Sequence, residues 1–367
     1  MKSLLNREQF RDAVFKRDRY CCVIPFCGKK MASPTDKAFD AHHIMERRLW
    51  DAYEEEGGYF LDNGVTVCDD PHHKLAEKNV IPPQAFYRWL GLKYPWSVPA
   101  SMKYRVWDPE FGEITDVNKW GEPFKMPTRS GTDIKYPSTP YLPFSPGHKD
   151  GHDDTMPSID HLIGIPLVVT EKRDGSNVKM VGGTDGYVAS RAGHESSASH
   201  PSFDYLKTQF EQNWKWAIPD GLVVFGEWLY AKHSIHYTGK LSLKNYLEVF
   251  GVYDPEYRLF LGWDDVKSIA DIMNVPTVPN VIPSGNGAPK EYTPTVTFKE
   301  KWNMEYRLQE IAETVIDSGG EGIVVRSIYP YHYGQHQTWM AKYVRENHVQ
   351  TDDNWSQQKI VKNEVRK

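Results

Sequence analysis

The sequence predicts an α+β protein in two parts: a small metal-bound module of two strands and a helix, then a larger domain of antiparallel sheets with flanking helices. Three observations carry that expectation. The cysteines all fall between Cys21 and Cys68 and are interleaved with histidines at ligand-like spacings. Beyond residue 132, short apolar runs recur, each closed by a turn or a charged side chain, as in 167–172, 222–230, 246–254 and 323–326. Between these regions, 95–131 collects prolines and glycines that prevent long helices, but Trp96, Trp107 and Trp120 make it too apolar for a free linker. The expected division is therefore 1–94 for the first domain, 95–131 for a packed connector and 132–367 for the second domain.

In the first domain, Arg7 to Arg17 has helical spacing. After it come a knuckle, Cys22-Val-Ile-Pro-Phe-Cys27-Gly28, and a histidine pair, Ala41-His42-His43-Ile44. A turn and strand follow at Asp62-Asn63-Gly64-Val-Thr-Val-Cys68, then His72-His73-Lys-Leu-Ala-Glu77, with a helix expected from Gln84 to Leu90. In the second domain, Val178 to Val188 is a hairpin whose turn is Gly182-Gly183-Thr-Asp185-Gly186. Helices are expected at Ser202 to Trp216, Asp264 to Met273 and Lys299 to Ile316, the remainder being strand and turn. There is no internal repeat and no low-complexity segment.

A net charge of −5 excludes a generally sticky polyanion binder, so any basic surface must be local. Lys16-Arg17-Asp-Arg19, Lys29-Lys30 and Arg47-Arg48 make the first domain basic, against Glu54-Glu55-Glu56. Lys359, Lys362, Arg366 and Lys367 have the spacing of one face of a short helix. Four cysteines, all in or beside one metal-binding pattern, leave no disulfide framework, and a reducing compartment is expected. The charged start Met1-Lys-Ser-Leu-Leu-Asn-Arg-Glu is unlike a signal peptide, and no apolar run approaches the ~18 residues of a membrane span. A cytoplasmic monomer with no membrane attachment is the resulting expectation.

The chemistry centres on Leu167-Val-Val-Thr-Glu171-Lys172-Arg-Asp174-Gly175-Ser-Asn177, where a lysine ends an apolar strand just before a tight turn. Burial among apolar side chains and a nearby cation or metal both disfavour the ammonium, so the amine can be free near neutral pH and attack phosphorus. Asp174-Gly175 turns the chain back, and Asn177 offers an amide to a phosphate or to water on a metal. Taken alone, the same pattern also describes an ordinary hairpin with a solvated lysine. Glu227, Glu321 and Lys342 lie within or at the ends of apolar strands, where an unpaired charge is costly. A shared ligand and metal would pair them; structural ion pairs are the alternative.

These segments, with Ser190-Arg191, Leu222-Val-Val-Phe225-Gly226-Glu227-Trp228, Tyr246-Leu-Glu-Val-Phe250, Gly319-Gly320-Glu321-Gly322-Ile323-Val324-Val325-Arg326 and Trp339-Met340-Ala-Lys342-Tyr-Val-Arg345, come in a telling order. From about Asp133 to Asn354 the chain resembles the nucleotidyltransferase superfamily of covalent ligases and capping enzymes. Asp-Gly-Ser-Asn after the lysine, the lead-in Lys135-Tyr136-Pro137-Ser-Thr-Pro140-Tyr-Leu-Pro143-Phe-Ser-Pro146-Gly147, and Lys342 to Thr351 look like its ATP-dependent RNA ligases. There is one departure. The family's last motif usually reads lysine, any residue, lysine, and here Met340 stands before Lys342, or Val344 after it, so either Lys342 acts alone with Arg345 helping or the register differs. About twenty residues follow that motif, fewer than an independent domain needs, so the second domain is expected at the other end.

The resemblance implies an adenylation domain that joins 5′-phosphate to 3′-hydroxyl ends of nucleic acid, RNA, DNA or both, using ATP and Mg2+ or Mn2+. Lys172 would form lysyl-AMP, and Lys342 would steady the transferring phosphoryl group. Glu227 would bind the ribose, Phe250 would stack on adenine, and Glu171 and Arg191 would touch the nucleotide or the strand end. Glu321 would hold magnesium, with Asn177 and Asp174 as further candidates for it, and Asp174, Gly175 and Asn177 would lie around the nucleotide.

Residues 1–92 resemble a treble-clef module of the HNH type. Cys22, Cys27, Cys68 and His72 supply three thiolates and an imidazole for a structural Zn2+, with Cys21 an alternative to Cys22. His42, His43, Asn63 and His73 resemble the family's nuclease centre, which implies His43 as general base, Asn63 orienting it, and His42 and His73 as metal ligands, with Glu77 a third candidate. Such modules either cleave nucleic acid or only grip it, and both readings stay open. So do two other functions for the whole chain: a nuclease with an accessory end-adenylating domain, and a non-catalytic nick-binding protein.

Overall fold

The computed structural model describes residues 5–46, 58–92, 131–147, 153–191, 195–282, 293–346 and 359–366. Nearly all of the expected connector, with its three tryptophans, and Arg47, Arg48 and Glu54 to Glu56 lie outside the described residues. The chain divides into two compact units, Met1–Met126 with Tyr331–Gly334, and Pro127–Pro330 with Gln335–Lys367.

In the first unit, helix α1 (Arg7–Arg17) starts at Asn6, whose side chain caps the backbone of Gln9 while the Gln9 side chain returns the bond, a capping box. Its buried face, Phe10, Val14 and Phe15, lies on the antiparallel pair β1 (Phe39–His43) and β2 (Gly64–Cys68), in which Phe39 faces Cys68 and His43 faces Gly64. Gly64 permits the close approach, since a Cβ there would meet Val14 Cγ2 at 2.3 Å. The short α2 (Lys74–Glu77) and α3 (Pro83–Trp89) complete the unit, α3 beginning on a proline whose missing N–H costs nothing at a helix start.

The second unit holds two antiparallel sheets. β3 (Leu167–Lys172) belongs to one, and β4 (Ser176–Val181) and β5 (Tyr187–Ser190) to the other. The later elements are α4 (Asp204–Gln209), β6 (Val223–Trp228), β7 (Leu247–Asp254), β8 (Leu259–Phe260), α5 (Trp263–Ile272), α6 (Lys301–Asp317), β9 (Gly322–Ser327) and β10 (Met340–Val344). Within this unit the larger sheet runs β8-β7-β6-β4-β5, and the smaller runs β10-β9-β3. Residues 173–175 therefore carry the chain from one sheet to the other, directly after Lys172. Gly175 fits that crossing because a Cβ would meet the Trp228 carbonyl at 2.7 Å.

Two expected helices differ from what is observed. Ser202 to Trp216 is broken into a 3-10 turn, the α-helical α4 and a wider π turn at Phe210–Trp214. The basic tail is extended. Asn363 and Lys232 donate backbone bonds to Tyr230 and Val361, and Leu243 to Glu364, while the buried Asn363 amide donates to the Leu229 carbonyl and accepts from Tyr237. Those tertiary bonds, and Val365 packed on Leu229, Ile235, Tyr237 and Leu243, outweigh the helical charge spacing. Among the described residues no helix is long and apolar enough to cross a membrane.

Candidate active site

The smaller sheet presents rows of side chains to a cavity of about 580 Å3. Thr170, Val324 and Lys342 are cross-strand neighbours, as are Arg326 and Met340, and all of them line it. Lys172 pairs in register with Gly322, and its Nζ lies 2.6 Å from Glu321 Oε1. Gly322 has φ +154°, and a Cβ would meet the Tyr343 carbonyl at 2.0 Å, so a glycine is needed where the carboxylate joins β9. Burial works against the Lys172 ammonium, but the Glu321 carboxylate outweighs it and raises the lysine above its ordinary pKa. The Glu321 carboxylate thus opposes the freeing of the amine that burial favours. Glu321 Oε2 and Asn177 Oδ1 are buried without a hydrogen-bond partner.

The larger sheet supplies the opposite wall. Asn177, Glu227 and Glu248 lie side by side across β4, β6 and β7. Glu227 Oε1 accepts the Gly175 N–H at 3.0 Å, and burial pushes its carboxyl up to about 8, with Lys172 opposing the shift and Glu321 and Asp174 adding to it. Phe250 lines the cavity with the Tyr136 ring edge-on at 5.0 Å. Lys342 Nζ is 2.5 Å from Asp153 and 4.1 Å from the centre of the Tyr141 ring. Burial lowers its pKa more than Asp153 raises it, the reverse of the balance at Lys172. Arg191, exposed at the rim, donates to Ser138 Oγ at 3.2 Å.

Two expected ligand contacts have their carboxylates bonded within the protein. Asp174 is absent from the cavity lining; its Oδ2 accepts from Ser234 at 2.8 Å and from the Ile235 N–H at 2.6 Å, so it pins a neighbouring loop. Glu171 lines the cavity, but its carboxylate accepts from Arg173 at 2.7 Å. Arg173 also forks onto the buried Glu248 at 2.7 and 3.1 Å. Sequence reasoning missed Asp153, His233 and this Arg173–Glu248 pair; only the strand register brings the last two together. Met340, standing where the resemblance expects lysine, accepts from the Tyr136 hydroxyl at 3.4 Å.

In the first unit the Cys22, Cys27, Cys68 and His72 ligand atoms all lie within 4.8 Å of one another. His72 Nδ1 is 3.4 Å from Cys22 Sγ and 3.2 Å from Cys68 Sγ, and Cys27 Sγ is 4.0 Å from Cys68 Sγ. Tetrahedral zinc with bonds near ~2.3 Å needs edges of roughly 3.5–4 Å, so the donor set fits that ion. Cys21 is not part of it; its Sγ faces the Arg19 carbonyl. Burial raises the Cys22 and Cys68 thiols and brings His72 down to about 4, a balance that a bound cation would reverse for the thiols.

The histidine constellation is only partly assembled as expected. His42 and His73 rings meet at 5.2 Å, and His73 Nε2 is 3.1 Å from Asp40 and 3.7 Å from Glu77. His43 is stacked on Phe10 at 4.6 Å with the Tyr59 ring edge-on at 4.9 Å. The Asn63 amide accepts from the Met45 N–H at 2.9 Å and donates to the Met45 and Gly58 carbonyls at 3.0 Å each. Asn63 thus clamps the loop after β1.

With that geometry in place, comparison with known proteins bears on the second unit. Residues 165–344 match the family model described as RNA ligase. The span runs from just before β3 to the end of β10. No curated protein matches the chain. Among solved structures, an archaeal ATP-dependent RNA ligase is similar at 15% identity and TM-score 0.38, over 57% of this chain and 48% of its own. A putative ATP-dependent DNA ligase from Aquifex aeolicus is similar at 18% and 0.34, over 57% and 50%. A Naegleria gruberi RNA ligase with PPi is similar at 16% and 0.35, over 80% and 73%. The chain spans about half the length of the archaeal structure it matches.

Proposed function

We propose that this chain is an ATP-dependent polynucleotide ligase that joins 5′-phosphate to 3′-hydroxyl ends through a lysyl-AMP intermediate on Lys172, with RNA strands as the first substrate to test. The observation that carries the reading is the Lys172–Glu321 pair beside the cavity, in the span that matches the RNA ligase family model. Lys172 Nζ, once deprotonated, attacks the α-phosphorus of ATP; a P–N bond forms and pyrophosphate leaves. AMP then passes from Lys172 to the strand's 5′-phosphate, and the 3′-hydroxyl attacks that phosphorus, closing the phosphodiester and expelling AMP. Phe250 offers a ring face to adenine, Glu227 a hydrogen-bonding carboxyl to the ribose, and Lys342 and Arg191 positive charge to the phosphates. The orphaned Glu321 Oε2 and Asn177 Oδ1 suit Mg2+ or Mn2+. Such a cation supplies charge that disfavours the Lys172 ammonium and screens the phosphates.

For the first unit we read Cys22, Cys27, Cys68 and His72 as a structural zinc site and the module as a nucleic-acid grip. The nuclease reading is favoured by His42, His73 and Asp40 lying together, but the aromatic packing of His43 and the spent amide of Asn63 favour the grip. Incubation with ATP and magnesium should add one AMP to the intact chain by mass spectrometry. Lys172→Ala should lose that adduct yet still seal some pre-adenylated strands. An adduct that persists in the variant refutes the nucleophile.

A further inference from the structure

The knuckle of the first unit displays side chains that the fold itself does not use. Phe26, between Cys22 and Cys27, is 73% exposed, and its backbone is left-handed at φ 63°. An exposed phenylalanine gains little from burial, and the left-handed region disfavours a bulky side chain, so neither packing nor backbone geometry accounts for it. The knuckle is nevertheless well defined. Cys22 N–H donates to the Lys29 carbonyl at 3.0 Å, Met31 N–H to the Tyr20 carbonyl at 2.8 Å, and Cys27 N–H to the Ile24 carbonyl at 3.1 Å. Tyr20, 37% exposed, sits at its base.

Exposed cations share this region: Lys16, Arg19 and Lys30. Lys29 is held on the Asp70 carbonyl at 2.6 Å. From residue 16 to residue 31 the one carboxylate is Asp18, and it is occupied by Arg17 and the Thr66 N–H, both at 2.7 Å. Aromatic rings set among unopposed cations are what a flexible polyanion with flat bases requires.

We propose that this knuckle is a nucleic-acid contact in which Phe26 stacks on an unpaired base while Lys16, Arg19 and Lys30 take phosphates. The ligand as a strand end rests on the ligase reading; stacking and phosphate contact do not. The test uses the full chain and an RNA duplex with a single-stranded tail carrying 2-aminopurine. Affinity is followed by anisotropy across a salt series, stacking by 2-aminopurine quenching, and the AMP adduct separately without RNA. Phe26→Ala should weaken binding roughly 5- to 100-fold and remove the quenching with an unchanged salt slope, while Phe26→Trp retains both. The combined Lys16→Ala, Arg19→Ala, Lys30→Ala variant should flatten the salt slope by about three and keep the AMP adduct. Wild-type affinity and quenching in Phe26→Ala overturn the proposal. So does a melting temperature that falls in Phe26→Ala, since Phe26 would then be packing. Failure of the wild-type chain to take AMP would sink the ligase reading, and the binding curves would still decide this one.

Discussion

The cysteine cluster and the charged cavity solve the problem of buried polar groups in opposite ways. In the first unit, four ligands from three short segments converge within 4.8 Å and offer one ion a closed shell. In the second, charged side chains are paired with one another: Lys172 with Glu321, Lys342 with Asp153, Arg173 with Glu248 and Glu171. A closed shell serves stability. A set of ion pairs beside a cavity is able to trade partners with a charged ligand, which is what the proposed group transfer requires.

The largest expected effect follows from the closed shell. Cys27→Ser or Cys68→Ser should lose about one zinc per chain and unfold the first unit, because the binding energy of such a site, on the order of 10 kcal/mol, is largely folding energy. Metal analysis and melting curves measure both. The AMP adduct on Lys172 should survive, and its loss along with the zinc would break the distinction between a structural site and a chemical one.

How much of each site was readable follows the same division. Cys22, Cys27, Cys68 and His72 are close in sequence or sit at the ends of short elements, so spacing names all but the choice between Cys21 and Cys22. The helix from Arg7 to Arg17 was equally plain, because helical spacing is a local signal. In the cavity, Glu227, Glu321 and Lys342 were visible as polar residues in apolar strands, and Lys172 and Asn177 as the residues flanking a tight turn. Their partners were not. Asp153 follows no pattern, and Arg173 finds Glu248 only because β7 pairs with β6 and the chain crosses between sheets at 173–175. Asp174 was misplaced for the same reason: a turn sequence does not reveal that its carboxylate bonds Ser234 and Ile235. The basic tail shows the limit of charge spacing, which cannot foresee the backbone partners that hold 359–366 extended.

A smaller effect than unfolding, but a sharper probe of the exchangeable pairs, comes from Glu321→Ala. Loss of this carboxylate should reduce adenylation on the order of a hundredfold or more. Its absence also removes what raises Lys172, so the acidic limb of the residual adenylation rate should move to lower pH. Stopped assays of AMP adduct formation across pH measure both. A variant with near wild-type rate and an unmoved limb would make Glu321 a structural partner only, like the ligands of the cysteine cluster.

A third effect lies at Glu227, whose carboxyl is pushed by burial from the ordinary 4.5 up to about 8. Because the folded state holds this proton more tightly than the unfolded chain, the stabilisation it contributes is complete below about 4.5. It is lost as pH rises towards about 8 and gone above it. Urea melts of the nucleotide-free protein should therefore show stability declining across that window, and Glu227→Gln, which cannot ionise, should flatten the decline. Saturating ATP with magnesium should flatten it as well in the wild-type chain, since added positive charge favours the carboxylate and removes the difference between the two states. A decline that persists unchanged in Glu227→Gln would assign it to other groups and leave Glu227 ionised in the cavity, paired like its neighbours.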